Sequence, residues 1–222
     1  MEPIKKMVNQ FEIKDSGKRR DFNTGAKRDI DYNKPRFDLI PTTVLFKILD
    51  SHEQVNYSEP RYKAIDGQTK ARLWSLGFLW GHRPNDQLLL EIIWIILKCI
   101  NLQEDDNILV TDDSIYPRIQ LISQKTYLRI ANHYGNGAKK YDPWNWSKGM
   151  PFSVFYASLM RHIFAVTQDQ DDEDHLSAVF FNAACILHFS IIGRTDLDDI
   201  TPRLEEQKSH QKQLICDEKI SF

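Results

Sequence analysis

Residues 153–192 read SVFYASLMRHIFAVTQDQDDEDHLSAVFFNAACILHFSII: two apolar periodicities separated by a run of acids. Phe155, Leu159, Ile163 and Val166 recur at helical spacing, and Leu176, Val179, Phe180, Ala183, Ile186 and Leu187 do so again. Ser153 suits the cap of the first helix. Two helices, 153–168 and 174–192, joined by the acidic connector Asp169–Asp174, predict an antiparallel hairpin at the centre of an all-α bundle.

Working outward, the Gly137–Pro151 stretch reads as a loop anchored by Tyr141, Trp144 and Trp146. The helix before it is expected from about Ile115 to Tyr134, marked by Ile119, Ile122, Leu128 and Ile130–Ala131. Gly135-Asn136-Gly137 should stop it. Gln103–Ser114 is acidic and reads as a loop. Leu88–Ile100 is apolar on nearly every face and predicts a buried helix. Weaker periodicity at 51–84, punctuated by Pro60, Gly67, Gly77, Gly81 and Pro84, leaves a short helix at Lys70–Trp80. Pro41 suits the first turn of a helix over Thr42–Leu49. Residues 1–33 read as an extended arm and 196–222 as a polar, partly helical tail.

Composition narrows the function classes. The 222 residues are 41% hydrophobic, which excludes disorder of the whole chain. With 29 basic and 31 acidic residues, the chain does not have the charge of a nucleic-acid binder held by a basic surface. Three scattered cysteines without a CxxC pair argue against a disulfide scaffold or a cysteine zinc site, and a reducing cytoplasm is expected. The apolar run at 88–100 carries Glu91 and Lys98 and is too short to span a bilayer, so no membrane partner is expected.

Three groups of residues invite chemistry. Asp169, Asp171, Asp172, Glu173 and Asp174 crowd a helix N-terminus, where one or two would serve as cap and dipole partners. Five together also suit a hard cation such as Mg²⁺. His175, Ala178 and Asn182 share one helix face, opposite Ala157 and Arg161 with His162 beside them. The loop adds Lys139, Lys140 and Lys148 among aromatics, a mix that either anchors a loop or holds a small phosphorylated ligand with a stacked base.

The segments Phe22–Asp29 and Lys34–Pro41 resemble the opening of phage and bacterial dATP/dGTP diphosphohydrolase-like domains. So do His133-Tyr134, Gly137-Ala138-Lys139-Lys140-Tyr141, Asn145-Trp146, Lys148-Gly149, Arg161-His162, Glu173-Asp174-His175-Leu176 and Asn182. This group is similar to the all-α, MazG-like nucleoside triphosphate pyrophosphatases. The resemblance implies cleavage between the α- and β-phosphates of a purine (deoxy)nucleotide, Mg²⁺ or Mn²⁺ held by helical carboxylates, and a homo-oligomer. A phage protein of this kind would work in the host cytoplasm.

On that resemblance, Glu173 and Asp174 hold the metal, and His162, His175 and Arg161 are the candidate catalytic residues. Lys139, Lys140, Tyr141, Asn145, Trp146, Lys148, Asn182, Lys34 and Arg36 contact the nucleotide. Two positions depart from the pattern: Gly135 and Ala157 stand where acids are expected. The domain, 34–195, is also interrupted by an insertion at about 42–124, which would offer a surface to a protein partner. Glu91, in that insertion, is a candidate for the missing carboxylate, and its rival role is pairing with an Arg or Lys. The rival to an enzyme is a catalytically impaired nucleotide-binding protein.

Overall fold

The computed structural model describes residues 19–21, 23–25, 27–29, 34–50, 65–104 and 123–220. It divides the chain into two units, Met1–Lys34 and Pro35–Phe222. In the first, β1 (Arg19–Asp21) pairs antiparallel with β2 (Lys27–Asp29). In the backbone register Arg19 lies opposite Asp29, Arg20 opposite Arg28 and Asp21 opposite Lys27, and Gly25 takes a positive φ of 80° in the turn. The extended arm thus contains a hairpin that no apolar alternation announced.

The second unit is helical. A 3-10 turn at Phe37–Leu39 precedes α1 (Thr42–Asp50), α2 (Gly67–His82), α3 (Asp86–Glu104), α4 (Gln124–Tyr141), α5 (Phe152–Thr167), α6 (His175–Ile191) and α7 (Thr201–Ile220). The expected starts at Ile115, Ile119 and Ile122, and the loop beyond Glu104, lie outside the described residues. Caps fix four helix starts, that of α3 by the Asn85 side chain, which accepts from the Leu88 backbone N–H. The side chains of Asp66, Ser123 and Asp174 accept from the backbone N–H of Thr69, Thr126 and Ser177.

α6 is the axis of the bundle. It packs most extensively on α5 and α3, and nearly all of its residues from His175 to Phe189 are buried. The hairpin predicted from residues 153–192 is therefore present. α3 is buried on almost every side, as its sequence implied. The segment read as an insertion thus supplies much of the core. Each fully buried Leu, Ile or Phe contributes about 1.5–3 kcal/mol, so these two helices carry much of the stability. Among the described residues, no helix is long and apolar enough to cross a membrane.

Glycines did not act as stops. α4 runs through Gly135 and Gly137 to Tyr141. Two interior glycines cost about 1 kcal/mol each. Continuing the helix buries Tyr134 against Phe181 and Trp146 and packs Ala138 on the core, which outweighs that cost. Gly77 and Gly81 sit inside α2, facing α5. A Cβ at Gly77 would lie 2.6 Å from the Met160 sulfur, and one at Gly81 would collide with the Tyr156 hydroxyl. There, glycine buys close helix packing.

Ser153 is not the cap of α5. Helix α5 begins at Phe152 after Pro151, and Asp199, from the connector before α7, reaches back to it. Its carboxylate accepts from the Ser153 backbone N–H at 2.9 Å and from the Ser153 hydroxyl at 2.6 Å. Burial pushes this carboxyl up, but the Ser153 hydrogen bonds and the Arg203 charge outweigh it and hold it below the ordinary range. Asp199→Ala should cost about 1 kcal/mol in urea denaturation at neutral pH. A depressed folded-state value gives stability above the unfolded carboxyl's pKa, lost as pH falls through the folded one. The gap between the two proteins should therefore close below about pH 4. A gap constant down to pH 2 would assign the loss to something other than the cap.

Candidate functional site

Between the C-terminal turn of α4, the 3-10 turn at Asn145–Lys148 and the inner faces of α5 and α6 lies a cavity of about 630 Å³. That is within the range of small-ligand pockets. Its wall includes Tyr134, Tyr141, Trp144, Asn145 and Trp146 on one side, and Ala157, Arg161, Phe181 and Asn182 on the other. The turn that closes α4 is strained. Asp142 and Trp144 take positive φ values of 78° and 62°, each costing about 1–2 kcal/mol for a non-glycine residue. That strain sets Trp144 beside Trp146 on the cavity wall, with ring centroids 6.2 Å apart.

Two polar atoms of residues in this wall are orphaned behind its surface. The Tyr134 hydroxyl and Trp146 Nε1 are buried and find no hydrogen-bond partner among the described residues. An unsatisfied buried polar group costs about 1–3 kcal/mol, so a ligand reached by a small turn of either ring would recover that energy. Burial also pushes the Tyr134 phenol well up, keeping it protonated and able to donate. The Asn182 amide donates to the Ala178 carbonyl at 2.8 Å, which leaves its oxygen as an acceptor. Arg161 lies exposed at the cavity rim with no acidic partner among the described residues.

One residue along α5 from Arg161, a second constellation begins. His162 Nδ1 lies 3.1 Å from His175 Nδ1, and a Glu173 oxygen lies 3.9 Å from the first and 4.0 Å from the second. His175 Nε2 donates to Asp172 at 2.9 Å. Burial pushes the His162 imidazole down, against the pull of Glu173. Burial does the same to His133, whose ring meets Phe181 and which also feels the charge of His162. Glu173 and His175 also line a cleft of about 580 Å³ with Asp169, Asp171, Asp174 and Arg129.

The acidic connector divides its labour. Asp174 accepts from Arg129 Nε at 2.9 Å and Nη2 at 2.8 Å, and from the Ser177 hydroxyl at 2.7 Å. Burial raises this carboxyl, but those partners outweigh it and hold it below the ordinary range. Asp169 pairs with Lys70. Asp171, Asp172 and Glu173 form no ion pair with a lysine or arginine among the described residues, though Lys140 feels the Glu173 charge. Glu173, not Asp174, is therefore the acid brought to the histidines.

The remaining candidates scatter. Tyr141, Asn145, Trp146, Arg161 and Asn182 line the aromatic cavity together. Lys139, Lys140 and Lys148 are exposed nearby and do not line it. Lys139 and Lys148 donate to Asn136 and Asn145, and Lys140 sits over the Tyr141 ring. Arg36 forks onto Asp38, and Lys34 belongs to the first unit. Glu91 joins neither cavity. It pairs with Arg72 at 3.4 Å between α2 and α3, the bland alternative weighed for it. Sequence reasoning missed Asp172 as the partner of His175, Arg129 as the clamp of Asp174, and Tyr134 as a cavity donor. Tyr134 had a signal in the His133-Tyr134 pair and Asp172 in the acidic run, while Arg129 had none.

Arg129 Nη1 also reaches Gln103 and Glu104, so this one side chain joins α3, α4 and the start of α6. Arg129→Met should lower stability by about 2 kcal/mol in urea, because two charge-assisted bonds go and Asp174 is left half-buried. Arg129→Lys should recover only part, lacking the fork. A loss under about 0.5 kcal/mol would mean that solvent screens the pair as on an open surface.

No curated protein and no solved structure matches the chain. A family model does, over residues 109–200, which span α4, α5, α6 and the connector before α7. The match leaves out the N-terminal segments 22–41 and α1–α3. The stretch that builds both the aromatic cavity and the histidine cluster is thus a match to the family described as dATP/dGTP diphosphohydrolase, N-terminal.

Proposed function

We propose that this protein hydrolyses a purine (deoxy)nucleoside triphosphate to the monophosphate and pyrophosphate. The observation that carries the reading is the aromatic cavity with two orphaned polar atoms, opening at Arg161 one residue from the histidine–carboxylate cluster. The cavity would take the base: Trp146 and Tyr141 supply ring faces, and the Tyr134 hydroxyl and Trp146 Nε1 supply hydrogen bonds. Arg161 at the rim would meet the phosphates bidentately, with Lys139, Lys140 and Lys148 adding charge from the exposed surface.

His162, His175 and Glu173 are the residues that would hold a divalent cation. Such an ion, when bound, supplies Lewis acidity toward phosphoryl oxygens and neutralises charge on the leaving pyrophosphate. In the reaction a water oxygen bonds to the α-phosphorus. The bond from that phosphorus to the α–β bridging oxygen breaks, and the water's proton passes to solvent.

Ala157, at a position where the resemblance expects an acid, lines the cavity, which favours the binding-protein reading as the alternative. A screen of common NTPs and dNTPs with Mg²⁺ and with Mn²⁺, products resolved by chromatography, separates the two. Conversion of a purine dNTP to dNMP and pyrophosphate is expected. Tight binding without product would leave the binding protein. Trp146→Phe keeps a ring but removes the donor, and should weaken nucleotide binding about 5- to 10-fold by calorimetry, the worth of one net hydrogen bond. Unchanged affinity would place the base elsewhere.

A further inference from the structure

We propose that His162 Nδ1, His175 Nδ1 and a Glu173 oxygen form a site for a borderline-soft divalent transition ion, Mn²⁺, Co²⁺ or Zn²⁺, that discriminates against Mg²⁺, with Asp172 as the positioning residue for His175. This deepens the proposed function by naming the class of ion, and it rests on that reading for the ion's use but not for its binding.

The hydrogen bonds select the ligating nitrogens. Asp172 accepts from His175 Nε2, so a neutral His175 carries its proton there and presents a lone pair at Nδ1. That is the carboxylate–histidine arrangement that fixes the tautomer of metal-binding imidazoles. His162 Nδ1 faces it at 3.1 Å. Two lone pairs at that distance repel, so without an ion one nitrogen must be protonated, whereas one cation satisfies both.

The dimensions agree. Ligand atoms about 2.0–2.1 Å from a tetrahedral ion lie roughly 3.3 Å apart. The nitrogen pair is already at 3.1 Å, and the Glu173 oxygen, at 3.9 and 4.0 Å, needs to move by about half an ångström. Glu173 is exposed and free to do so.

Charge permits a cation at the start of α6. The helix end contributes about half a positive charge. Glu173, Asp172 and Asp171 outweigh it, since none of them forms an ion pair with a lysine or arginine among the described residues and Lys140 acts on Glu173 only at longer range. The donor set then decides the ion. Mg²⁺ takes oxygen ligands in near-ideal octahedra, while imidazole suits the transition series.

The test uses untagged full-length protein stripped with chelator. Co²⁺ should produce visible d–d bands, and titration calorimetry should show Zn²⁺, Co²⁺ and Mn²⁺ binding at one site. A large excess of Mg²⁺ should neither displace Co²⁺ nor alter the bands. His162→Gln should abolish the bands while circular dichroism stays that of the wild type. Asp172→Asn should weaken Co²⁺ about 10- to 100-fold. Displacement of Co²⁺ by Mg²⁺, or undiminished Co²⁺ binding by a folded His162→Gln protein, would overturn the assignment. The two readings fail separately. Co²⁺ bound as described with no nucleotide consumed leaves the site and removes the hydrolase. Turnover with Mg²⁺ and no Co²⁺ bands does the reverse.

Discussion

One guanidinium holds the working end of this bundle together. Arg129, on α4, forks onto Asp174 at the start of α6 and extends to Gln103 and Glu104 at the end of α3. Because Asp174 also caps α6 through Ser177, the pair sets where that helix begins. His175 is the next residue, so its ring is aimed by the same contact. If Asp174 were released, both the register of the helix end and the approach of His175 to His162 would loosen.

The clamp is affordable only because the helices it joins are already committed. α6 buries most of its side chains against α3 and α5, and α3 buries nearly all of those between Leu89 and Asn101. Apolar burial of that extent dwarfs the 1–3 kcal/mol of a half-buried ion pair. Polar interactions here choose geometry within a fold that burial enforces. The same holds at the other end of α5, where Asp199 returns from the far connector to Ser153.

The two cavities differ in chemistry because one lies along the α5–α6 pair and the other at its connector. The aromatic one collects rings and a few unspent hydrogen-bonding groups. The acidic one collects carboxylates at a helix start, where the dipole favours them. Arg161 and His162, adjacent on α5, lie at the join: one at the cavity rim, the other in the cluster. A ligand with an apolar ring at one end and a polyanion at the other fits that division, and nucleotides have that form.

The hairpin was legible because helical period is a local property: apolar residues three and four apart mark one face wherever the chain goes. The buried character of Leu88–Ile100 was legible for the same reason, whereas Tyr141, Asn145, Trp146, Arg161 and Asn182 were singled out by the family resemblance and gathered around one space by the fold. The sequence also offered Glu173 and Asp174 as equals. Only the tertiary structure separated them, because Asp174's partner, Arg129, lies 45 residues away and Glu173's histidines sit on two helices. Likewise, Gly135 and Gly137 look like a stop until Phe181 and Trp146 arrive to reward the helix for continuing. Local propensity is worth about 1 kcal/mol per residue, and a burial partner from elsewhere in the chain is worth more.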